Sequence, residues 1–353
     1  MLCHKCDRKA VIVLQHSGLC DAHFLAYFEE KVEKTINKFR LIDRADSLCV
    51  AASGGKDSLT VLYLTKKYLL RYQLPCTLFA LSVDEGIKNY RKSTLRDLKT
   101  FCTKHEIDLH IISSKEEFGY TLDQAAPKIK KLQQKKACNI CGVWRRFLLN
   151  KYAKKYGATK VITGHNLDDE AQVVLMNMFK ANTTLMAHLG PQSGVEEHEQ
   201  FASRVKPLYF CTEKETRLYA LLKKFDVSFT ECPNAQEGLR AYVRDMLNDV
   251  EARYPGTKQG IINSFLNVMP LIKEREMKKP QQLNMCLVCG EPTNNDVCNA
   301  CKIKEALDGM SRGAKKVEVS PKKTSLKPKR VLIITKTKSE KKKTNNEKKK
   351  NIK

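Results

Sequence analysis

Short apolar runs alternate with amphipathic stretches through most of the chain, and the alternation reads as α/β. Leu48 to Ala52 is a continuous apolar run of strand length, Leu59 to Tyr72 has helical spacing, and Thr77 to Val83 is strand-like again. Tyr90 to His105 then predicts a helix, Ile107 to Ser113 a strand, Trp144 to Tyr156 a helix, and Lys160 to Thr163 a short buried strand. Strands separated by helices pair in parallel, so the expected fold is a mostly parallel sheet flanked by helices. Further on, Val227 to Thr230 is strand-like, while Ala235 to Glu251 and Lys258 to Val268 read as two helices that pack together. Parallel sheets bind ligands at the carboxyl ends of their strands, so Ser53, Asp84 and His165 with Asn166 should converge on one crevice.

The first strand runs straight into Ser53-Gly54-Gly55-Lys56-Asp57-Ser58. Gly54 and Gly55 allow positive φ and close backbone approach, Ser53 and Ser58 add hydroxyls, and the helix that follows presents unpaired N–H groups to an anion. Lys56 supplies a point charge, and Asp57 can cap the helix or help hold Mg2+. The run lacks the spacing of the common kinase and GTPase loop. ATP is the expected ligand. After the strand at Lys160, Gly164-His165-Asn166 precedes the acidic helix start Asp168-Asp169-Glu170. His165 reads either as a hydrogen-bonded loop residue or as a nucleotide contact. Asp168 and Asp169 are either first-turn acids favoured by the helix dipole or groups that hold magnesium or orient the reacting base. Asp84 either caps a turn or reaches substrate. Arg240 and Arg244 share a helical face, which could bind phosphate or RNA, or pair with neighbouring acids.

The 353 residues, 42% of them apolar, suffice for one catalytic domain with small appendages. The net charge of +25 is unevenly placed: between Arg312 and Lys353 stand 17 Lys or Arg against three Glu. That lysine-rich tail reads as disordered, with solubility or the concentration of RNA as its role. No apolar run approaches membrane length, and the start lacks a secretory signal, so a soluble cytoplasmic protein is expected. Fourteen cysteines in that compartment point to metals rather than disulfides.

Cys3 and Cys6, followed after thirteen residues by Cys20 and His23, form the ligand set of a closed tetrahedral zinc site. His4 and His16 are surplus by spacing. Cys286, Cys289, Cys298 and Cys301 form a four-cysteine ribbon for a second structural Zn2+. Cys138 and Cys141 open a helix with no second pair beside them, which leaves three readings: a redox or persulfide-carrying dithiol, an iron–sulfur site completed from elsewhere, or inert thiols. Cys232, in Glu231-Cys232-Pro233, is the natural third ligand of such a site.

With these motifs together, the chain resembles the PP-loop ATP pyrophosphatase superfamily, and within it the archaeal and eukaryotic tRNA 2-thiolation enzymes. The resemblance runs from Met1 to Leu307. It implies that Ser53 to Ser58 hold the phosphates of ATP; Asp84, Gly164 and His165 are expected near the nucleotide from their places at the strand ends. It implies that Cys138, Cys141 and Cys232 hold a [4Fe–4S] cluster with one iron open to sulfur, a persulfide on one cysteine being the alternative route. Asp169 would assist uridine activation, and the uridine C2 oxygen would be adenylated before sulfur replaces it. The lysine-rich tail looks eukaryotic, which favours wobble position 34 of tRNAs for Lys, Gln and Glu over positions 54 or 32. The implied partners are a related second subunit and a ubiquitin-like sulfur carrier, with a homodimer as another assembly; a noncatalytic RNA-binding scaffold is the rival of another class. The expected layout is a zinc module over 1–30, the catalytic domain over 31–230, a helical extension over 231–280, a zinc ribbon over 281–307 and the tail over 308–353.

Overall fold

The computed structural model describes residues 1–14, 17–193, 202–227, 230–235, 238–277 and 284–311. The chain divides into two units, Met1–Gly313 and Ala314–Lys353. The basic tail and His16 lie outside the described residues.

In chain order the first unit runs β1 (Ile12–Leu14), β2 (Ser17–Leu19), α1 (Asp21–Lys38), β3 (Ser47–Ala51), α2 (Lys56–Arg71), β4 (Thr77–Asp84), α3 (Arg91–Lys104) and β5 (Asp108–Ser113). It continues through α4 (Ser114–Phe118), α5 (Leu122–Gln133), α6 (Ala137–Lys155), β6 (Lys160–Thr163), α7 (Leu167–Phe179), α8 (Thr183–Ala187), β7 (Gln192–Ser193) and β8 (Ser203–Val205). The helices α9 (Glu213–Leu222), α10 (Leu239–Arg253) and α11 (Thr257–Met277) follow, and β9 (Asn284–Met285), β10 (Pro292–Thr293) and α12 (Asn299–Ser311) close the unit.

Six strands form the main sheet in the order β5-β4-β3-β6-β8-β7. All its pairs are parallel except β7 with β8. The fold is therefore α/β, as the alternation predicts. Ala51 stands opposite Leu81 on one side and Thr163 on the other. The segments leaving β3, β4 and β6 consequently emerge side by side at one end of the sheet, which is how the chain brings its three candidate loops together.

One face of the sheet packs with α1, α2 and α9 in a core containing Phe24, Phe28, Leu59, Leu62 and Tyr219, and Cys3 and Cys20 belong to the same core. The other face packs with α5, α6 and α12 around Trp144, Ile140 and Leu148, together with Cys286 and Cys298. A third cluster joins α7, α10 and α11 through Leu167, Val243, Ile262 and Phe265. Both terminal cysteine groups are thus built into cores shared with the sheet. No helix among the described residues is long and apolar enough to cross a membrane.

Several elements depart from the apolar pattern. The helix expected from Ala235 starts at Leu239, because Gly238 takes φ +119°, which helical backbone cannot accommodate. The helix expected to end at Val268 continues through Pro270 to Met277. Val227 and Thr230 lie outside any strand, and the two residues between them are not described. Helix α5 rests on a local signal instead: Thr121 accepts from Gln124 N while Gln124 answers to the Thr121 backbone, a capping box.

Candidate active site and metal centres

The Ser53–Ser58 turn is organised around one hydroxyl. Ser58 Oγ accepts from the N–H groups of Ser53 and Gly54, each at 3.2 Å, and donates to Gly55 O at 2.8 Å. Gly54 has φ +86°, and a Cβ there would stand 2.1 Å from Thr94 O on α3. Only glycine fits that position. Gly55 caps α2 in extended conformation, so the loop opens onto the helix N-terminus as phosphate binding requires.

Lys56 and Asp57 begin α2. Lys56 Nζ lies 2.9 Å from Asp57 Oδ2 and 3.1 Å from Glu213 Oε1 at the start of α9. Burial opposes the Lys56 charge, but Asp57 and Glu213 outweigh it and raise its pKa. Burial also raises the Asp57 pKa, against the pull of Lys56. From the neighbouring strand end, Asn166 Nδ2 donates to Asp57 Oδ1 at 3.2 Å. A Cβ on Gly164 would lie 2.8 Å from the Asp57 carbonyl, so β6 ends in direct backbone contact with the first turn of α2. His165 is solvent-exposed, and its Nδ1 lies 2.9 Å from Thr163 Oγ1.

Asn166 caps α7 and forms a capping box with Asp169. The two acids after it part company. Asp168 is buried, pairs with Lys258 and accepts from Glu213 N at 2.7 Å, which ties α9 and α11 to α7. Asp169 faces outward and meets Arg240 Nη2 at 2.6 Å. Arg240 also donates to Gln172 Oε1 at 3.0 Å, and Arg244 stands by Asp245 and Glu231. Both arginines therefore sit against acids. Asp84 accepts from Gly86 N at 2.9 Å and caps the turn after β4.

That turn delivers Glu85, which the sequence offers only as part of the Asp84-Glu85-Gly86 turn and not as a partner of distant arginines. Glu85 is 4% exposed and lies between two guanidiniums: Arg91 Nε at 2.8 Å from Oε2, and Arg145 Nη2 at 2.9 Å from Oε1. Arg91 Nη1 donates to Ser53 O at 2.6 Å, and Arg145 Nη2 donates to Cys141 Sγ at 3.2 Å.

Cys138 and Cys141, in the first turns of α6, lie against the loop that carries Cys232, though the three sulfurs do not all come within 4.8 Å of one another. Cys138 Sγ donates to Asn234 O, two residues past Cys232, at 3.0 Å. Cys141 and Cys232 pack on one core with Tyr90. Burial pushes the Cys141 thiol up to about 11. Three thiols from one helix turn and one loop, partly open to solvent, suit a cluster with an accessible side; each thiolate of a cubane binds a different iron, so their sulfurs need not crowd one point.

The terminal groups are tighter. The ligand atoms of Cys3, Cys6, Cys20 and His23 all lie within 4.8 Å of one another, and so do those of Cys286, Cys289, Cys298 and Cys301. Backbone N–H groups point at the sulfurs, Lys5 N to Cys3 Sγ at 3.4 Å and Cys298 N to Cys286 Sγ at 3.2 Å. Two complete four-ligand sets of this kind are consistent with metal-binding modules.

The sheet, the loop and its glycines define a PP-loop domain, and the PP-loop domain family matches residues 25–251. Among curated proteins, the tRNA 2-thiolation protein NcsA of Haloferax volcanii is 34% identical over 88% of this chain and 100% of its own length. The cytoplasmic tRNA 2-thiolation protein 1 of Danio rerio is 34% identical over 90% of each chain. The tRNA-5-methyluridine(54) 2-sulfurtransferase of Pyrococcus horikoshii is also 34% identical, over 86% of this chain and 93% of its own. Among solved structures, the U34-tRNA thiolase NcsA from Methanococcus maripaludis with its [4Fe–4S] cluster aligns with TM-score 0.72 at 29% identity, covering 87% of this chain and 96% of that one. The chain belongs to the PP-loop ATP pyrophosphatase superfamily, in the branch of the archaeal and eukaryotic tRNA 2-thiolation proteins.

Proposed function

We propose that this chain is an ATP-dependent tRNA 2-thiolase that converts the wobble uridine to 2-thiouridine in the cytoplasm. The reading rests on one observation: the glycine-rich loop and the locality of Cys138, Cys141 and Cys232 lie at the same end of the sheet, joined across Glu85.

The loop N–H groups and the α2 terminus bind the phosphates of ATP, and Lys56 exchanges Asp57 and Glu213 for phosphate oxygens. The uridine C2 oxygen attacks the α-phosphorus and pyrophosphate leaves. A sulfur species then attacks C2, the C2–O bond breaks, and AMP carries the oxygen away. Asp169, freed from Arg240, orients the base. Asp57 would hold Mg2+, which would screen the phosphate charge. Cys138, Cys141 and Cys232 would hold a [4Fe–4S] cluster, which when bound supplies an open iron for sulfur. The four-ligand sets at the two termini take structural Zn2+.

tRNA is the partner, with the Lys, Gln and Glu acceptors as substrates. A related second subunit and a ubiquitin-like sulfur carrier complete the pathway. Arg240 and Arg244 become available to RNA phosphate once their acids are released. The second reading is thiolation at position 54, favoured by the name of the Pyrococcus relative.

Anaerobically purified protein, ATP, sulfide and tRNA, with the product mapped by nuclease digestion and mass spectrometry, test the proposal. 2-Thiouridine at position 34 supports it, product at 54 selects the second reading, and no product from cluster-loaded protein that binds tRNA points to the missing second subunit or to a noncatalytic scaffold, which adding that subunit would separate. Cys232→Ala should abolish thiolation and leave tRNA binding intact.

A further inference from the structure

Glu85 makes two different kinds of contact. On one side Arg145 is directional: Nε donates to Oε1 at 3.0 Å, and Nη2 lies 2.9 Å from the same oxygen. On the other side Arg91 Nε approaches Oε2 at 2.8 Å but donates to Val83 O, which leaves Oε2 without a directed hydrogen bond. A carboxylate buried between two guanidiniums stabilises little unless its geometry is exacting, because desolvation offsets much of the attraction.

The two arginines are also held differently. Arg91 is buried and keeps Ser53 O, Thr94 Oγ1, Ser82 Oγ and Val83 O as acceptors whether or not Glu85 is charged. Arg145 is half-exposed, and its fork contacts Glu85 and Cys141 Sγ. Loss of the Glu85 charge therefore releases Arg145 and leaves Arg91 in place.

We propose that Glu85 is a positioning residue that holds Arg145 against Cys141 at a fixed spacing from the Ser53–Ser58 loop, so that the sulfur site and the nucleotide site keep one register. The proposal deepens the thiolase reading and rests on it for what the two ends do. Arg145 gives the Cys141 sulfur an N–H donor, a contact that stabilises negative charge on a cluster-bound thiolate and raises its reduction potential. Arg91 anchors the other end through the loop carbonyl. A small misplacement between reacting groups costs rate far more than binding.

The test uses the full chain, purified anaerobically, as wild type, Glu85→Gln and Arg145→Lys. It measures affinity for a non-hydrolysable ATP analogue, cluster reduction potential and EPR spectrum, and single-turnover 2-thiouridine formation. Glu85→Gln should keep analogue affinity within about threefold, shift the potential negative with a changed EPR spectrum, and slow thiolation by about tenfold or more at little changed tRNA KM. Arg145→Lys keeps the charge and loses the fork, and should show the same shift in smaller degree.

An unchanged potential with thiolation within about twofold of wild type would overturn the proposal. So would parallel loss of analogue affinity and thiolation, which marks a general structural role. If Glu85→Gln does not fold, Arg145→Lys decides by the same readouts. A wild-type chain that makes no 2-thiouridine while the variants still shift the potential defeats the functional reading alone; a wild-type chain that takes up no iron defeats both.

Discussion

Asn166 donates to Asp57 Oδ1 at 3.2 Å, and the same side chain accepts from Asp169 N at 3.1 Å to cap α7. One amide thus fixes the start of two helices against each other at the ends of neighbouring strands. Asn166→Ala should lower stability by about 1 kcal/mol, the cost of a lost cap, and leave Asp57 with one partner fewer. ATP-analogue affinity should fall with it. Denaturant unfolding and calorimetric titration check the two effects, and wild-type values in both would remove Asn166 from the site.

Lys56 stands between Asp57 and Glu213, and the nucleotide reading requires it to change partners on ATP binding. Lys56→Ala should slow pyrophosphate release by about a hundredfold, the usual cost of one preorganised charge at a reacting phosphate. Iron content and tRNA binding should stay at wild-type levels. Unimpaired pyrophosphate release would undo the loop assignment.

The backbone contact at Gly164 gives a steric prediction. In Gly164→Ala the new Cβ meets the carbonyl of Asp57 at 2.8 Å and Ser58 N at 3.0 Å, neither of which can rotate away. Overpacking of this kind should cost about 1–3 kcal/mol and weaken nucleotide binding by tilting α2. Thermal unfolding with and without ATP analogue separates the two consequences; an unfolding midpoint equal to wild type shows that the helix yields freely.

Glu29 carries a pH dependence. Burial opposes its charge, but Lys67 at 2.6 Å, the Tyr219 hydroxyl at 2.8 Å and Lys223 at 3.3 Å prevail and hold its pKa below the ordinary range. A carboxyl depressed in the folded state adds stability above its unfolded pKa and loses it as pH falls through the folded one. Wild type should therefore exceed Glu29→Gln in unfolding free energy at neutral pH, with the gap closing below about pH 4. A gap independent of pH would show that the ion pairs contribute nothing.

What the sequence made legible was local. An apolar run followed by two glycines announces a strand, a turn and a helix, and β3, Gly54 and α2 follow that order. Cysteine spacing works likewise, since Cys286 and Cys289 span one short turn and Cys298 and Cys301 bracket the first turn of α12, so each pair carries its own local geometry. Glu85, Arg91 and Arg145 were illegible because each is an ordinary charge in its own neighbourhood. Their meaning comes from a sheet that brings residue 145 back to residue 85, a relation no periodicity encodes. Glu213 escaped for the same reason: its partner Lys56 is 157 positions away.

The C-terminal ribbon has a bearing on how the protein matures. Cys286 and Cys298 share a core with Ile140 and Trp144 of α6, and Tyr120 reaches Asp308 of α12 at 3.2 Å. Helix α6 also carries Cys138 and Cys141. On the proposed reading of that group as a Zn2+ site, a ribbon without metal would leave the helix short of part of its packing. If the ribbon takes the proposed Zn2+, loading it would have to come before the internal cysteines are settled, and chelation would then be felt as loss of the folded chain rather than as a slower enzyme.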